Sequence, residues 1–227
     1  MIKLVAFDWN GTILADAKLA ADADNYVLEH YGFKPIDLRT MQEQFEIPIS
    51  KYWSNLGLDG KFFKEHAKEI DSLFLKYYEP KENLCRTRSG SGEVLSWLNK
   101  KKIKSVIYSN HITPHIDKQL IRFKIRNYIG DILARKLGEF NHMHEKSKDQ
   151  KLKSYVHELK LHPKEVITIG DTDEEVEIGK RFGYYTVALT DGHQSIVKLR
   201  AAKPDFLIHN LNELKNIITK INGVKVS

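Results

Sequence analysis

Three polar residues stand where apolar runs end. Asp8 follows Val5-Ala6-Phe7, Ser109 follows Val106-Ile107-Tyr108, and Asp171 follows Val166 to Ile169 and Gly170. Each run has the length and composition of a short buried strand. A charge at the end of such a strand is costly unless it is paired or used, and Gly11 suits a sharp turn just beyond Asp8. One strand that ends in Asp before a turn is common and means little. Three polar ends on one edge of a parallel sheet make a site, because ligands bind outside the carboxyl ends of such strands. Two carboxylates brought together repel and demand a cation, and a set of oxygen ligands suits Mg2+. The cation would draw in a phosphate, with Asp8 in line as a nucleophile forming an aspartyl-phosphate. Ser109 and backbone N–H groups of the loops would hold the other phosphate oxygens, and a lysine would balance the remaining charge.

The elements that must position these residues alternate. Beyond Cys85 the pattern predicts helices over 90–99, 114–123, 148–160, 174–182 and 211–221. Strands are expected over 104–108, 131–134, 166–169, 186–189 and 205–208. Strand–helix alternation implies a parallel sheet with right-handed crossovers. Between the first strand and Cys85 the texture differs. Leu19, Ala23, Val27 and Tyr31 recur at helical spacing, as do Phe62, Ile70, Phe74 and Tyr78. Helices are predicted over 15–31, 37–45, 52–56 and 61–78, with no convincing strand. This block carries 13 acidic and 9 basic residues, a balance of −4, against +10 for the remainder of a chain whose net charge is +6. The expected organisation is an α/β, doubly wound parallel sheet formed by residues 1–14 and 85–227, with a helical cap, residues 15–84, inserted after the first strand.

These features together make the sequence resemble the haloacid dehalogenase-like hydrolase superfamily, in its phosphoglycolate phosphatase-like branch. Asp8-Trp9-Asn10-Gly11-Thr12 is similar to the nucleophile loop and Ser109 to the second motif. A lysine before the next helix is similar to the third, and Gly170-Asp171-Thr172-Asp173-Glu174-Glu175 to the acidic fourth. Gly192-His193-Gln194-Ser195 also resembles a loop of one phosphatase-like group. The resemblance implies that Asp8 accepts the phosphoryl group and ligates Mg2+. It implies that the backbone carbonyl of Asn10 and the side chain of Asp171 complete the protein's metal ligands, with Glu175 acting directly or through a water. Phosphate binding would fall to Asp8, Trp9, Asn10, Ser109, Asn110 and the lysine. That lysine is Lys148, 23 residues before Asp171, or Lys146; Lys148 is favoured because no proline starts the helix earlier.

Two positions depart from the superfamily's pattern. Asn10 stands where the acid/base Asp is usual, and an amide cannot protonate a departing alkoxide. Glu175 stands where Asp is usual. The implied activity is a Mg2+-dependent phosphatase on a small phosphorylated substrate. A phosphate-binding or regulatory module that has lost turnover through Asn10, and a phosphotransferase or mutase, stay open; the missing acid/base counts against a mutase. His111 and His115 have the spacing of a metal pair on a helix, but Pro114 lies between them and no glutamate accompanies them, so zinc is set aside. His142 and His144 read as solvated loop residues. Tyr52, Trp53 and Phe45 read as bundle core, with one or two able to face the cleft. A single cysteine, Cys85, excludes an internal disulfide and a multi-cysteine metal site. The basic residues are scattered among acids, so no nucleic-acid partner is expected. The sequence has no apolar run of membrane-spanning length and no signal layout, so no membrane and a cytoplasmic location are expected. Oligomeric state has no signal.

Overall fold

The computed structural model describes residues 1–136 and 147–223. Strand β1, Leu4–Phe7, is buried at every position, as an apolar run covered on both faces must be. After it come β2, Leu14–Ala15, then the helices α1, Ala17–His30, α2, Leu38–Gln44, α3, Ile49–Asn55, and α4, Gly60–Glu82. The chain returns through β3, Arg86–Thr87, to α5, Ser91–Lys100, β4, Lys104–Ile112, α6, Thr113–Arg122, and β5, Ile132–Arg135. The remainder is α7, Ser147–Glu158, β6, Val166–Gly170, α8, Asp173–Phe182, β7, Tyr185–Leu189, α9, Ile196–Ala201, β8, Phe206–Ile208, and α10, Glu213–Gly223.

Six strands form one sheet in the order β5-β4-β1-β6-β7-β8, and all neighbouring pairs are parallel. The chain winds outward from β1 through β4 and β5 on one side, then through β6, β7 and β8 on the other. The switch therefore lies between β1 and β6, where a doubly wound sheet opens its ligand crevice. Strand alternation sets the two faces. Val5 and Phe7 pack with Val94 and Leu98 of α5, Leu120 of α6 and Ile218 of α10. Leu4 and Ala6 pack with Leu152 of α7 and Ile178 of α8. Helices on both faces of a parallel sheet are the expected α/β architecture.

Helices α1 to α4 share their own apolar core, which includes Val27, Met41, Trp53, Phe63 and Ile70. They leave and rejoin the sheet through β2 and β3, which pair antiparallel. These two-residue strands are absent from the sequence reading because two residues show no period. Strand β4 also runs past Tyr108 to Ile112, with its register against β5 shifting between those residues. Ser109 thus lies inside an irregular stretch of strand and not just beyond its end.

Candidate active site at the sheet edge

Register decides which groups meet. Phe7 pairs with Ile107 on β4 and with Ile169 on β6, so Asp8, Ser109 and Asp171 emerge side by side. The Asp8 N–H donates to the Ile169 carbonyl at 2.9 Å, which anchors the loop as it leaves the sheet. Gly11 then adopts φ +70°, and a Cβ there would sit 2.1 Å from Asp171 Oδ2. Gly192 presses on the same oxygen, at 2.2 Å from its own would-be Cβ. Only glycine permits both loops to close on that carboxylate. Asp171 Oδ1 accepts from the Thr12 hydroxyl at 2.8 Å, while Oδ2 accepts from the His193 N–H at 2.7 Å and faces its Nδ1 at 2.9 Å.

Lys148 enters from the first turn of α7 and is buried. Its Nζ lies 3.1 Å from Asp8 Oδ1 and 2.8 Å from Glu174 Oε2, and it also contacts Glu175 Oε1. Lys146 lies outside the described residues. Helix α8 begins with a capping box: the Thr172 hydroxyl and N–H donate to Glu175 Oε2 at 2.6 and 3.3 Å. The side chain of Glu175 is therefore tied at both oxygens, one to Lys148 and one to its own helix start. Asp173, Glu174 and Glu175 all stand in the first turn of α8, where the helix dipole favours negative charge.

Burial pushes the Asp8 carboxyl well above the usual range; Lys148 pulls it back, while Glu175 and Asp171 push it up further. Burial would also raise Asp171, but the hydrogen bond and charge of His193 bring it below its ordinary value. Burial alone would lower His193, yet its bond to Asp171 and the charges of Asp16, Asp171 and Asp8 carry it up to about 9. The buried carboxylates Asp8, Asp171, Glu174 and Glu175 meet Lys148 and His193. Glu174 Oε1 is buried without a hydrogen-bond partner. An all-oxygen set with surplus negative charge and an orphaned oxygen fits a hard divalent cation.

The side of the cleft that carries the expected phosphate contacts Ser109 and Asn110 is formed by β4. Ser109 Oγ accepts from the His111 N–H at 3.2 Å, and the Asn110 carbonyl accepts from Arg135 Nε at 2.6 Å. Trp9 does not reach the cleft with its side chain. Its side chain is wholly buried in the core under the sheet, so only its backbone is left to meet a phosphate. The Asn10 amide is committed too: it donates to Asp16 Oδ2 at 2.7 Å and to the Tyr78 hydroxyl at 3.0 Å. Tyr78 in turn donates to Asp16 Oδ2 at 2.6 Å, and Asp16 Oδ1 accepts from the Gly11 N–H at 2.7 Å. Asp16, Tyr78, Thr12 and Glu174 contact this cluster although the sequence assigned them no role; Thr12 lies in the nucleophile-like loop. Glu174 at least sat within the acidic run; Asp16 and Tyr78 had no local signal.

A cavity of about 290 Å3 lies between this edge and helices α1 to α4. Asp8, Ser109 and Lys148 line its floor, and Phe45, Tyr52, Trp53 and Phe74 line its roof. Tyr52 and Trp53 thus serve both the helical core and the cleft. His111 and His115 do not share a helix, since β4 carries the first and α6 the second. They do have a glutamate, Glu82, supplied from the far end of α4.

The sequence matches the family of haloacid dehalogenase-like hydrolases over residues 5–189. The chain belongs to that family. As a haloacid dehalogenase-like hydrolase it is similar to the pyrophosphatase PpaX of Bacillus mycoides, with 21% identity over 226 residues covering 98% of this chain and 99% of the relative. It is also similar to a phosphoglycolate phosphatase of Vibrio vulnificus, 23% identical over 223 residues and 96% of each chain. Among solved structures, a haloacid dehalogenase-like hydrolase from Streptococcus pneumoniae superposes with a TM-score of 0.78 at 19% identity, over 96% of this chain and 98% of that one. At such identity the superposition shows the fold. Within this hydrolase family fold, no helix of the described residues is long and apolar enough to cross a membrane.

Proposed function

We propose that this hydrolase is a Mg2+-dependent phosphatase that acts on a small phosphorylated substrate through an aspartyl-phosphate on Asp8. One observation carries the reading: Asp8 sits at the switch point of the sheet, held by Lys148 among carboxylates that need a cation. The cation would be held by Asp8, the Asn10 carbonyl and Asp171. Glu175, already bound to Lys148 and Thr172, would act through a water. Mg2+ at that place would supply charge neutralisation to the phosphoryl oxygens.

The chain's own groups do the rest. Lys148 favours the ionised form of Asp8. The Ser109 hydroxyl and the Asn110 N–H bind the oxygens of the transferring group, and positioning of this kind supplies most of the rate in phosphoryl transfer. An Asp8 oxygen forms a bond to phosphorus while the bond to the leaving oxygen breaks, and that oxygen departs with the electron pair. A water then attacks the phosphorus of the aspartyl-phosphate, releasing phosphate and restoring Asp8. The Asn10 amide gives no proton to the leaving oxygen, so leaving groups that need none are favoured: aryl phosphates, acyl phosphates and pyrophosphate. The name of the Bacillus mycoides relative supports that direction. The aromatic roof gives such a leaving group an apolar surface. The elements described carry no membrane-crossing helix, and we place the reaction in the cytoplasm.

A second reading rests on the same Asn10 geometry: a phosphate-binding protein without turnover. Phosphate release from an aryl phosphate, pyrophosphate and an alkyl phosphate, each with and without Mg2+, separates the two. The expected result is Mg2+-dependent release from the first two, with the alkyl ester slower by about 100-fold or more, the usual contribution of a general acid. Release from none of them, with phosphate still bound, would favour the binding protein.

A further inference from the structure

We propose that Glu82, His111 and His115 form a second cation site, specific for a transition-metal ion of the Zn2+ type, which latches the helical layer to the sheet. The three residues come from three elements. Glu82 is the last residue of α4, His111 lies near the end of β4, and His115 is in the first turn of α6. One ligand atom from each lies within 4.8 Å of the others. His111 Nε2 is 3.4 Å from Glu82 Oε1, and His115 Nδ1 is 3.7 Å from Glu82 Oε2.

These atoms have no other use. Glu82 Oε1, His111 Nε2 and His115 Nδ1 are all buried without a hydrogen-bond partner. Burying three polar atoms without partners costs free energy at each, and one ion at their common focus would satisfy all three. The spacing suits it. Bonds of about 2.0–2.1 Å to a tetrahedral ion put neighbouring ligand atoms about 3.4 Å apart, the separation of His111 Nε2 from Glu82 Oε1. His115 Nδ1 faces the other oxygen of the same carboxylate at 3.7 Å. The donor set selects the ion: two imidazoles and one carboxylate favour Zn2+ and its neighbours over Mg2+. Three protein ligands leave a fourth position for water. The His115 side chain is 30% exposed, which opens a route for ion and water.

The site is separate from the oxygen cluster around Asp8, but mechanically joined to it. Tyr78 stands one turn before Glu82 and donates to Asp16, while the His111 N–H donates to Ser109 Oγ. An ion bound by Glu82 and both histidines would tie α4 to the strand that carries Ser109. Gln119 of α6 donates to Asn83 and Arg122 to the Cys85 carbonyl, so the same junction is already fastened on its other side. Zinc here would hold the helical layer over the cleft.

Equilibrium dialysis against Zn2+ in excess Mg2+ tests the site, using wild type, Glu82→Gln, His115→Ala and Asp171→Asn. Since losing even an outer partner of a metal ligand weakens binding by about 10–100-fold, each of the first two variants should weaken zinc by at least about tenfold. Asp171→Asn, altered only in the oxygen cluster, should keep it. X-ray absorption of zinc-loaded wild type should show imidazole scattering, a readout that does not depend on any variant folding. Equal zinc retention by Glu82→Gln and His115→Ala, an oxygen-only zinc shell, or no zinc bound by wild type would overturn the proposal.

Discussion

Asn10 is the residue on which the chemistry turns. Its amide faces Asp16 Oδ2 at 2.7 Å, so Asn10→Asp would set two carboxyl groups against each other at hydrogen-bonding distance. One pKa of such a carboxyl pair is strongly raised, so the introduced carboxyl can supply the proton that an alkyl leaving group lacks in the natural chain. Alkyl phosphate turnover should therefore rise by about 100-fold in Asn10→Asp, with aryl phosphate turnover little changed. No rise in steady-state assays would mean that proton supply is not what limits the alkyl esters. Lys148 is the other decisive side chain. In Lys148→Met, Asp8, Glu174 and Glu175 lose their shared buried cation, which should lower stability by about 3–5 kcal/mol in metal-free buffer. Urea denaturation with and without Mg2+ would measure this, and added Mg2+ should restore part of the loss. Asp8, Ser109 and Asp171 are legible in the sequence because each ends an apolar run, and Lys148 because it opens a helix at a suitable distance. Asp16, Tyr78 and Glu82 are not legible, because what gives them meaning is contact across the fold: Tyr78 meets Asp16 from 62 residues away.

Among the elements, those with a strong period are the ones a reader of the sequence recovers. The central strands and the helices that cover them appear within a few residues of where apolar spacing puts them; α8 starts at its Thr172–Glu175 box, one residue before the expected 174. The β2–β3 pair and the extension of β4 to Ile112 are set by tertiary pairing and have no local pattern. Packing between α1 and α3 hides another feature that spacing does not show. Asp24 is buried and accepts from the Tyr52 hydroxyl at 2.6 Å. Burial raises its carboxyl to about 7, against the lowering effect of that hydrogen bond. Its pKa is thus higher folded than unfolded, so the folded state holds the extra proton. The stability this contributes is full below about 4 and is lost as pH rises through about 7, with a slope of at most about 1.4 kcal/mol per pH unit. Asp24→Asn should flatten that fall between about pH 4 and 7 in denaturant titrations. An unchanged slope would place the buried charge elsewhere.

At the scale of the whole molecule, the helical layer is fastened over the cleft at several points. Gln42 Nε2 donates to the Gly192 carbonyl at 2.8 Å, and the Ser195 N–H donates back to the Gln42 carbonyl at 2.9 Å. Lys198 reaches the Phe45 carbonyl at 2.8 Å. These contacts hold α2 against the loop that buries Asp171, so in the proposed reaction closure of the helical layer and assembly of the cation site would share one seam. We expect Gln42→Ala to raise KM for aryl phosphate several-fold and leave thermal stability nearly unchanged; an unaltered KM would separate closure from this seam. Parallel pairing of the strands follows from strand–helix alternation and is legible in the sequence, whereas the strand order and the seam depend on how the elements pack. The proposed reaction rests on Asp8 as the group that carries phosphate. The most direct measurement is Mg2+-dependent phosphate release from an aryl phosphate by wild type and Asp8→Asn, with acid-quenched protein digested to locate bound phosphate. Release by wild type alone, with phosphate on the peptide that contains Asp8, is the expected result. Turnover undiminished in Asp8→Asn, or phosphate carried on another peptide, would contradict it.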